Sequence, residues 1–453
     1  MNMNHQRVFI TVNPAETRKK ALLFIEENLF GEWGLHFGEP VRIIAGCRSI
    51  PVLVQPFPAS NPTLKLSYDM NQFLSLPAFS DSISVSFHPE GRTIQIGPFF
   101  AALTNQTPLQ DGTLGEMERF YQEMTSYCNQ QGIPFYLVKL QSLQEGIIEG
   151  LMTGQNGWET VTLPIPDVLY NRIHSRKLEA SHSFELFKIE LEARAIPMFN
   201  GRFLSKYGVH QLLNQEYELL PSLPDTILFG EREAFLPFIE KHSIIYFKPA
   251  SGSQGKNICR LTQVAGKWKI EPSGKKQELY FADSVEELFN TLKRFSKKQV
   301  FILQQGISLF ETDQRKVDFR ILLHQNDQLK WKISSMVARI GEQGAIVSNL
   351  AQGGLMKNGS DFLKEVFDYP EAGRLYQKLI RLAKNTARAI IEHHDESFGE
   401  LGIDVALDED GHPWIIEVNS KPSKKFQGNY ETFRPSVKSI IDFMLTLNYE
   451  KHQ

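Results

Sequence analysis

The alternation of apolar and polar residues is clearest near the end of the chain. Residues 402–407 (GIDVAL) and 413–418 (PWIIEV) are two such runs, and the acidic segment DEDGH at 408–412 lies between them. An Asp-Gly pair between two alternating apolar runs is typical of a β-hairpin. The pattern therefore predicts two neighbouring strands joined by a short acidic turn.

Three oxygen-bearing side chains belong to these two strands. If Asp404 lies directly opposite Glu417, a four-residue loop closes the hairpin and Asn419 converges with both carboxylates. The same alternation assigns the opposite face of the second strand to Trp414, Ile416 and Val418. Carboxylates on so apolar a strand need a partner, and two carboxylates with an amide oxygen suit a Mg²⁺ ion held beside a nucleotide. The alternative is a surface hairpin whose polar edge is solvated.

The pattern divides the rest of the chain into three predicted domains. Residues 1–100 contain short strand-like runs about ten residues apart, which predict a β-rich domain built as a small barrel or sandwich. Residues 101–200 alternate strand-like and helix-like segments, as in a small parallel α/β domain. Asn171 and Arg172 follow one of its strands where such sheets bind ligands, although helix capping and a surface salt bridge explain them as well. Residues 201–453 form the third domain, with a long amphipathic helix before the hairpin. The predicted fold class is α/β (α+β).

The composition is that of an ordinary globular protein. The chain has 453 residues, 42% of them hydrophobic and 22% charged, and its net charge is −3. This charge predicts no attraction to nucleic acid or to an anionic membrane. Cys47, Cys128 and Cys259 form no CxxC pair, which argues against a zinc site or a disulfide framework. No apolar run is long enough for a membrane span and the N-terminus lacks a signal-peptide pattern, so we expect the protein in the cytoplasm where it is synthesised.

Two lysines and a glycine-rich loop precede the hairpin. Lys206 lies at the start of a predicted helix, and Lys248 lies near the end of a strand. The loop 251–256 (SGSQGK) connects that strand to the next one, a geometry typical of a flap whose backbone amides cover phosphates. No helix follows, so the loop is not a Walker A motif, and a plain hairpin turn is the alternative. Lys248 would meet the phosphates as a point charge.

Polar residues also occur at the end of one later strand and on one face of another. The buried strand 300–303 is followed by Gln304, Gln305 and Gly306, whose backbone groups could contact the edge of a planar base. Asp318 and Arg320 alternate with apolar residues and therefore share a strand face. They suit a ribose and a substrate, or else form a surface pair of little energetic weight.

Taken in this order, the residues resemble the ATP-grasp fold, in the branch of glutathione synthetase and RimK-type ligases. The resemblance covers residues 201–422 and rests on Lys206, Lys248, the glycine-rich flap, a hinge at Gln305 and Gly306, Asp318-x-Arg320, Arg339, VSNLAQGG at 347–354, and Asp404 with Glu417-x-Asn419. The full chain is similar to the YheC/YheD group of endospore coat-associated ATP-grasp proteins. The implied architecture is an ATP-grasp domain that follows a small parallel α/β pre-ATP-grasp domain and an N-terminal β-rich domain.

The resemblance implies ATP and Mg²⁺ as cofactors and a role for each matching residue. The triphosphate would be contacted by Lys206, Lys248, Asn349 and the flap residues Ser251, Gly252, Ser253, Gln254 and Gly255. Gln305 and Gly306 would hold adenine through backbone groups, and Asp318 would hold the sugar or phosphate region. The implied catalytic residues are Arg339, which would stabilise the transferred phosphoryl group and the tetrahedral intermediate, and Arg320. The implied Mg²⁺ ligands are Asp404, Glu417 and Asn419.

Two positions depart from the family pattern. Gln305 stands where many relatives have Glu, which weakens nothing essential if the backbone contacts the base. Val347 stands where RimK-like enzymes carry Arg, and this change removes one contact to substrate or phosphate.

The resemblance implies a carboxylate–amine ligase that works through an acyl phosphate. One alternative is an ATP-binding structural or assembly protein of the spore coat with little turnover, and another is a kinase that acts on a hydroxyl. The lysines 421, 424 and 425 indicate either an anionic substrate, such as an acidic amino acid or polymer, or a solvated loop. The expected partners are ATP, an unidentified carboxylate or amine substrate, and spore coat proteins. The sequence does not identify the substrate.

Overall fold

The chain folds into two compact units. The computed structural model describes residues 6–13, 21–143, 145–154, 157–252, 257–273, 278–296, 299–344, 354–424 and 433–451. One unit comprises Met1–Arg202 together with Ser423–Gln453, and the other comprises Phe203–Pro422. This division differs from the predicted domain 201–453, because the last segment of the chain packs with the first unit.

A closed barrel of seven strands begins the first unit. The strand order around the barrel is β1-β5-β2-β4-β3-β7-β6. The elements are β1 (Gln6–Asn13), β2 (Leu22–Glu26), α1 (Glu27–Glu32), β3 (Pro40–Ala45), β4 (Arg48–Phe57), β5 (Thr63–Ser67), α2 (Tyr68–Leu74), β6 (Ile83–His88) and β7 (Thr93–Ile96). Alternate residues of β3, namely Val41, Ile43 and Ala45, are buried in the core, as the period-2 pattern requires. Of the two predicted forms, barrel or sandwich, the structure adopts the barrel.

A six-stranded sheet in the order β11-β10-β9-β8-β12-β13 completes the first unit. The strands β9, β8, β12 and β13 run parallel, and β10 and β11 form an antiparallel hairpin beside them. The elements are β8 (Phe100–Leu103), a 3₁₀ turn (Gly115–Met117), α3 (Glu118–Gln130), β9 (Phe135–Val138), β10 (Ile147–Gly154), β11 (Gly157–Pro164), β12 (Val168–Asn171), α4 (Arg176–Glu179), α5 (His182–Glu192) and β13 (Met198–Phe199). The side chain of Asn171 donates to Glu179 and to the carbonyl of Gly201, so this ligand candidate has a structural role instead.

The C-terminal helix of the chain covers this same sheet. It spans Pro435–Lys451 and is named α11 below. Ile440, Phe443 and Met444 are buried in the same apolar cluster as Phe199 of β13, and the rings of Phe199 and Phe443 are 5.1 Å apart. Because α11 buries its apolar residues in this cluster, it groups with the first unit and not with Phe203–Pro422, which differs from the predicted domain 201–453.

Two antiparallel sheets form the second unit. The first has the order β14-β19-β15-β16-β17-β18, and the second has the order β23-β22-β21-β24-β25, with β20 paired to β21. The strands of the first sheet and the helices between them are, in chain order, α6 (Lys206–Leu213), a 3₁₀ turn (Leu220–Ser222), β14 (Thr226–Leu228), α7 (Arg232–Lys241), β15 (Ile244–Pro249), β16 (Cys259–Val264), β17 (Lys267–Pro272), β18 (Tyr280–Ala282), α8 (Val285–Phe295) and β19 (Phe301–Gln305). Those of the second are β20 (Glu311–Thr312), β21 (Arg315–Gln325), β22 (Trp331–Ile340), β23 (Leu355–Asn358), α9 (Gly359–Val366), α10 (Tyr369–Glu392), β24 (Glu400–Leu407) and β25 (Pro413–Asn419).

Helix α10 supports the second sheet and matches the predicted long amphipathic helix. Asp368 caps its N-terminus by accepting the N–H of Glu371 at 2.9 Å, and a proline occupies the first turn. Leu375, Leu379 and other residues at helical spacing are buried against the sheet. Among the described helices, none combines the length and the apolar character needed to cross a membrane.

Candidate functional site

Lys206 is the first residue of α6 and contacts the acidic hairpin. Ser205 caps the helix by accepting the N–H of Gly208 at 3.0 Å, which fixes the first turn. The ammonium of Lys206 lies 2.7 Å from Oε1 of Glu417 and also donates to the carbonyl of Gly252 at 2.8 Å. The lysine predicted to bind phosphate therefore contacts both a predicted metal ligand and the beginning of the predicted flap.

Lys248 of β15 lies in the same region but is almost fully buried. Its side chain is 7% exposed, and Nζ donates to Oε1 of Gln304 on the neighbouring strand β19 at 2.6 Å. Burial, reinforced by the charge of Lys206, lowers the pKa of Lys248 from 10.5 to about 8, although Glu417 acts in the opposite direction. The two predicted phosphate-binding lysines are therefore close enough to influence each other electrostatically.

Four alternating charges lie side by side on β21, β22 and β24. Asp318 is directly opposite Arg339, and Arg320 is directly opposite Asp404. Arg320 holds Asp404 in a two-bond contact, with Nη2 donating to Oδ2 at 2.7 Å. Arg339 bridges the two carboxylates, because its Nε pairs with Asp318 and its Nη2 lies 2.9 Å from Asp404. The residues predicted to be catalytic are thus linked to a predicted metal ligand.

Both charge signs in this row are stabilised by their partners. Burial alone would raise the pKa of Asp404, but Arg320 and Arg339 outweigh it and hold that pKa below its ordinary value. Burial alone would lower the pKa of Arg339, but the charges of Asp404 and Asp318 outweigh burial and hold that pKa above its ordinary value. Asp404 and Arg339 therefore remain ionised near neutral pH.

The hairpin has the predicted cross-strand pair but not the predicted loop. Asp404 lies directly opposite Glu417, as expected. A β-bulge then shifts the register, because Val405 lies opposite Ile415, so that Ile416 is the inserted residue and five residues, 408–412, separate the strands. The predicted apolar face of Trp414, Ile416 and Val418 was wrong for this reason: the strand instead buries Ile415 and Val418 in the core.

The donor set of the hairpin fits a divalent cation. Every residue of β24 is buried, so the alternative of a solvated hairpin is wrong for Asp404. Asn419 is two residues beyond Glu417, and its Nδ2 is buried without a hydrogen-bond partner among the described residues. Rotation of this amide would present its oxygen to a cation. The described residues contain no group of three or more His, Cys, Asp or Glu suited to a metal. The candidate set is two carboxylates and one amide, which are oxygen donors of the kind that Mg²⁺ prefers.

The strand end at Gln305 and Gly306 makes internal hydrogen bonds. The N–H of Gln305 donates to the carbonyl of Asp225 at 2.8 Å, and its Oε1 accepts the N–H of Asp225 at 3.1 Å. The N–H of Gly306 donates to Ile244, and a Cβ at Gly306 would lie only 2.4 Å from the side chain of Ile244, so this approach requires glycine. In this arrangement the backbone N–H groups of both residues already have acceptors, so a base would meet other groups, such as their carbonyl oxygens.

A small cleft connects the lysines with the hairpin. Its cavity volume is about 30 Å³, and Lys206, Lys248, Gln304 and Glu417 are among its lining residues. As the described residues form it, the cleft is much smaller than the ~300–1,000 Å³ typical of small-molecule sites.

Several predicted site residues lie outside the described residues, namely Ser253, Gln254, Gly255 and Asn349. Of the flap, only Ser251 and Gly252 are described before the gap. Val347 and Lys425 also fall outside. Lys421 and Lys424 are 7% and 5% exposed, with their ammonium groups over the rings of Phe203 and Phe120, so the solvated-loop alternative is wrong for these two lysines.

The sequence did not predict the side-chain partners that hold Lys248. Gln304 was identified only as part of a polar strand end, and nothing in the sequence indicated that Thr226 accepts from its Nε2 at 2.9 Å. The one signal was the period of two along β19, which places Gln304 and Gln305 on opposite faces.

Comparison with known proteins identifies the family of this chain. The family described as YheC/D-like ATP-grasp matches residues 195–447, more than half of the chain. The chain therefore belongs to this family and contains an ATP-grasp fold, which confirms the predicted fold class and the resemblance.

Two proteins of Bacillus subtilis (strain 168) illustrate the relationship. The chain is 29% identical over 375 residues to endospore coat-associated protein YheD, covering 80% of each chain. It is 27% identical over 278 residues to endospore coat-associated protein YheC, covering 59% of this chain and 74% of YheC. A solved D-alanine–D-alanine ligase from Bacillus anthracis aligns at 13% identity with a TM-score of 0.45, over 78% of this chain and 97% of the ligase.

Proposed function

We propose that this protein is an ATP- and Mg²⁺-dependent ligase that joins a carboxylate to an amine through an acyl phosphate. One arrangement within the second unit carries the proposal. Lys206 and Lys248 share a cleft with Glu417, and Glu417 lies opposite Asp404, which two arginines hold. Membership of the ATP-grasp family supports the binding of ATP.

The proposed reaction needs alignment and charge neutralisation more than covalent catalysis. A substrate carboxylate oxygen attacks the γ-phosphorus, ADP leaves, and an amine then attacks the acyl carbon and expels inorganic phosphate. Lys206 and Lys248 would neutralise phosphate oxygens during the first step. Arg339 would stabilise charge on the transferred phosphoryl group and on the tetrahedral intermediate, and Arg320 would orient the carboxylate. Mg²⁺ held by Asp404, Glu417 and Asn419 would supply further charge neutralisation at the phosphates.

The remaining proposed contacts concern the base, the sugar and the cover of the site. Carbonyl oxygens at Gln305 and Gly306 would accept from the exocyclic amine of adenine, and Asp318 would approach the sugar or phosphate region. Residues 251–255 of the flap and Asn349 would cover the triphosphate and exclude water that would otherwise hydrolyse the acyl phosphate.

The decisive experiment measures ADP formation as a function of the acceptor. The purified chain is incubated with Mg²⁺·ATP and a panel of carboxylates paired with amines, including acidic amino acids and acidic polymers. We expect one pair to stimulate ADP release, and hydroxylamine to trap an acyl hydroxamate when the amine is omitted. Hydroxylamine-insensitive phosphorylation of a hydroxyl acceptor would instead indicate a kinase. A response confined to neutral substrates would refute the anionic-substrate part of the proposal.

A second function is supported by the names of the relatives. YheD and YheC are both described as endospore coat-associated, so we propose that this chain also associates with the spore coat. Under the alternative function it binds ATP there as a structural or assembly protein with little turnover. ATP binding without acceptor-stimulated ADP formation, together with a coat defect that Glu417→Gln rescues, would favour this alternative. Immunolocalisation in sporulating cells of the source organism tests the association itself.

A further inference from the structure

Gln304 holds Lys248 from the neighbouring strand. Lys248 lies directly opposite Ile302 in the sheet, so Gln304, two residues farther along β19, is its diagonal neighbour on the same face. The amide accepts from Nζ of Lys248 at 2.6 Å and donates to Oγ1 of Thr226 at 2.9 Å. Thr226 in turn donates to the carbonyl of Pro224 at 2.9 Å. Both ends of the Gln304 amide are therefore fixed, and its oxygen is presented to the ammonium.

The partner of this buried ammonium is neutral, and that has a physical consequence. A carboxylate at position 304 would form an ion pair with Lys248 and cancel its charge before any phosphate arrived. An apolar residue would leave the buried ammonium without this partner and favour its neutral form. An amide oxygen stabilises the ammonium and leaves its full positive charge available for the phosphates.

Among the described residues that line the cleft, the charged and titratable groups beside Lys248 come from two other elements. Lys206 and His210 project from α6, and Glu417 projects from β25. Lys206 disfavours the charged form of Lys248, and Glu417 favours it. Without the contact from Gln304, the balance would move further toward the neutral lysine, because burial acts in the same direction as Lys206.

We infer that Gln304 is a positioning residue for nucleotide binding: with Thr226 behind it, it holds the ammonium of Lys248 charged and aimed into the cleft until phosphate oxygens replace it. This inference rests on the proposed function of the site. It adds a residue that acts through Lys248 and does not itself need to touch the nucleotide.

The test measures the affinity for Mg²⁺·ADP by calorimetry between pH 6.5 and 9.5. In the unchanged protein the affinity should fall as Lys248 deprotonates, with the bend in the profile near pH 8. Gln304→Met removes the acceptor, so we expect about tenfold weaker binding at pH 7.5 and a bend about one pH unit lower. Gln304→Glu should also weaken binding, because it cancels the charge, but its bend should move to higher pH. Thr226→Val should give a smaller shift in the direction of Gln304→Met.

Shifts of the bend in opposite directions for the two Gln304 variants would distinguish a positioning role of Gln304 from structural damage. A distorted site would weaken Mg²⁺·ADP binding in both variants, but it would not move the bend to lower pH in one and to higher pH in the other. Gln263→Glu adds the same charge at an exposed position of β16 in the same sheet and should leave the profile unchanged. If the unchanged protein binds Mg²⁺·ADP but both Gln304 variants keep its bend, the inference is overturned and the proposed function survives. If the unchanged protein binds no nucleotide, both are overturned.

Discussion

Lys206 and Glu417 form an ion pair with an Nζ–Oε1 distance of 2.7 Å, although 211 positions of the chain separate them. One was predicted to bind phosphate and the other to bind Mg²⁺. Each therefore neutralises the other in the free protein, and a nucleotide with its cation would have to separate them. The pair links two binding events that the sequence presents as independent.

Removing Lys206 should strengthen the binding of a divalent cation in the absence of nucleotide. In Lys206→Met, Glu417 no longer has a competing cation, and a charge-assisted hydrogen bond of this kind is worth about 1.5–3 kcal/mol. We expect Mn²⁺, measured by electron paramagnetic resonance without nucleotide, to bind about tenfold more tightly. Adding Glu417→Gln should abolish the gain.

The matched control is Lys267→Met, which removes a lysine from an exposed ion pair with Asp283. It should leave Mn²⁺ binding unchanged. Equal Mn²⁺ affinity in Lys206→Met and the unchanged protein would show that Glu417 is not a metal ligand, or that the ion pair does not compete.

Lys248→Met should stabilise the free protein while weakening nucleotide binding. The folded-state pKa of Lys248 is about 8 against an ordinary value of 10.5. The folded protein therefore bears the full cost of the buried charge below pH 8, and its stability rises between about pH 8 and 10.5, where the unfolded chain binds more protons. After allowance for the unpaired Gln304 amide, we expect a gain of about 1–2 kcal/mol at pH 7.

Urea unfolding at pH 7 and at pH 9.5 tests this prediction. The stability difference between Lys248→Met and the unchanged protein should shrink at the higher pH, because the lysine is then largely neutral in the folded state. Lys293→Met, at an exposed position of α8, provides the control and should show no such pH dependence. A variant that is less stable at both pH values would contradict a costly buried charge at this position.

The double variant Arg339→Met with Asp318→Asn tests the proposed role of Arg339. The single change would leave Asp318 buried without its arginine, whereas the double change removes both charges and keeps the contact between Arg320 and Asp404. We expect acceptor-dependent ADP formation to fall at least about 100-fold, as for loss of a donor to a developing charge. Asparagine keeps a hydrogen-bonding side chain at position 318, so the loss should appear mainly in the turnover rate, and any accompanying loss of ATP affinity reports on Asp318.

A matched control removes an exposed ion pair instead. Arg388→Met with Glu392→Gln deletes one arginine and one acid from the surface of α10 and should retain full activity. Full activity in the double variant at Arg339 and Asp318 would exclude a catalytic role for Arg339.

The C-terminal helix should contribute to the stability of the first unit. Phe443 is 1% exposed and packs edge-on against Phe199 of β13. Phe443→Ala should lower the free energy of unfolding by about 3–5 kcal/mol, because it opens a cavity in that core. Hydrogen exchange should become faster in β12 and α3. Leu445→Ala, at a partly exposed position of the same helix, should have a much smaller effect; equal effects would place α11 outside the core.

Local sequence patterns were enough to predict the hairpin of the candidate site and the helix that precedes it. The alternation of 402–407 and 413–418 and the Asp-Gly pair sufficed for two adjacent strands, and the pair Asp404 with Glu417 followed from the expected pairing. The 3.6-residue period of apolar residues sufficed for α10. These features depend on residues that are close in sequence, so a single sequence contains them.

The features that the sequence did not reveal depend on distant contacts. The bulge at Ile416 has no local signal, because any residue of an apolar strand can be the inserted one. The side chain of Gln304 could not be assigned, since its partners Lys248 and Thr226 lie 56 and 78 positions away. The attachment of α11 to the first unit depends on a core formed by residues far upstream in the chain, such as Phe199 of β13. The amphipathic pattern of α11 by itself would fit any apolar surface.

The two ends of the second unit lie side by side. The N–H of Leu204 donates to the hydroxyl of Ser420 at 3.4 Å, and the ammonium of Lys421 lies 4.8 Å from the ring centre of Phe203. When the first and last residues of a segment are in contact, the segment can be inserted into another chain, or removed from this one, without moving the flanking residues far apart. The second unit is thus topologically an insertion, suited to transplantation and circular permutation, and α11 completes the first unit only after the second has been synthesised.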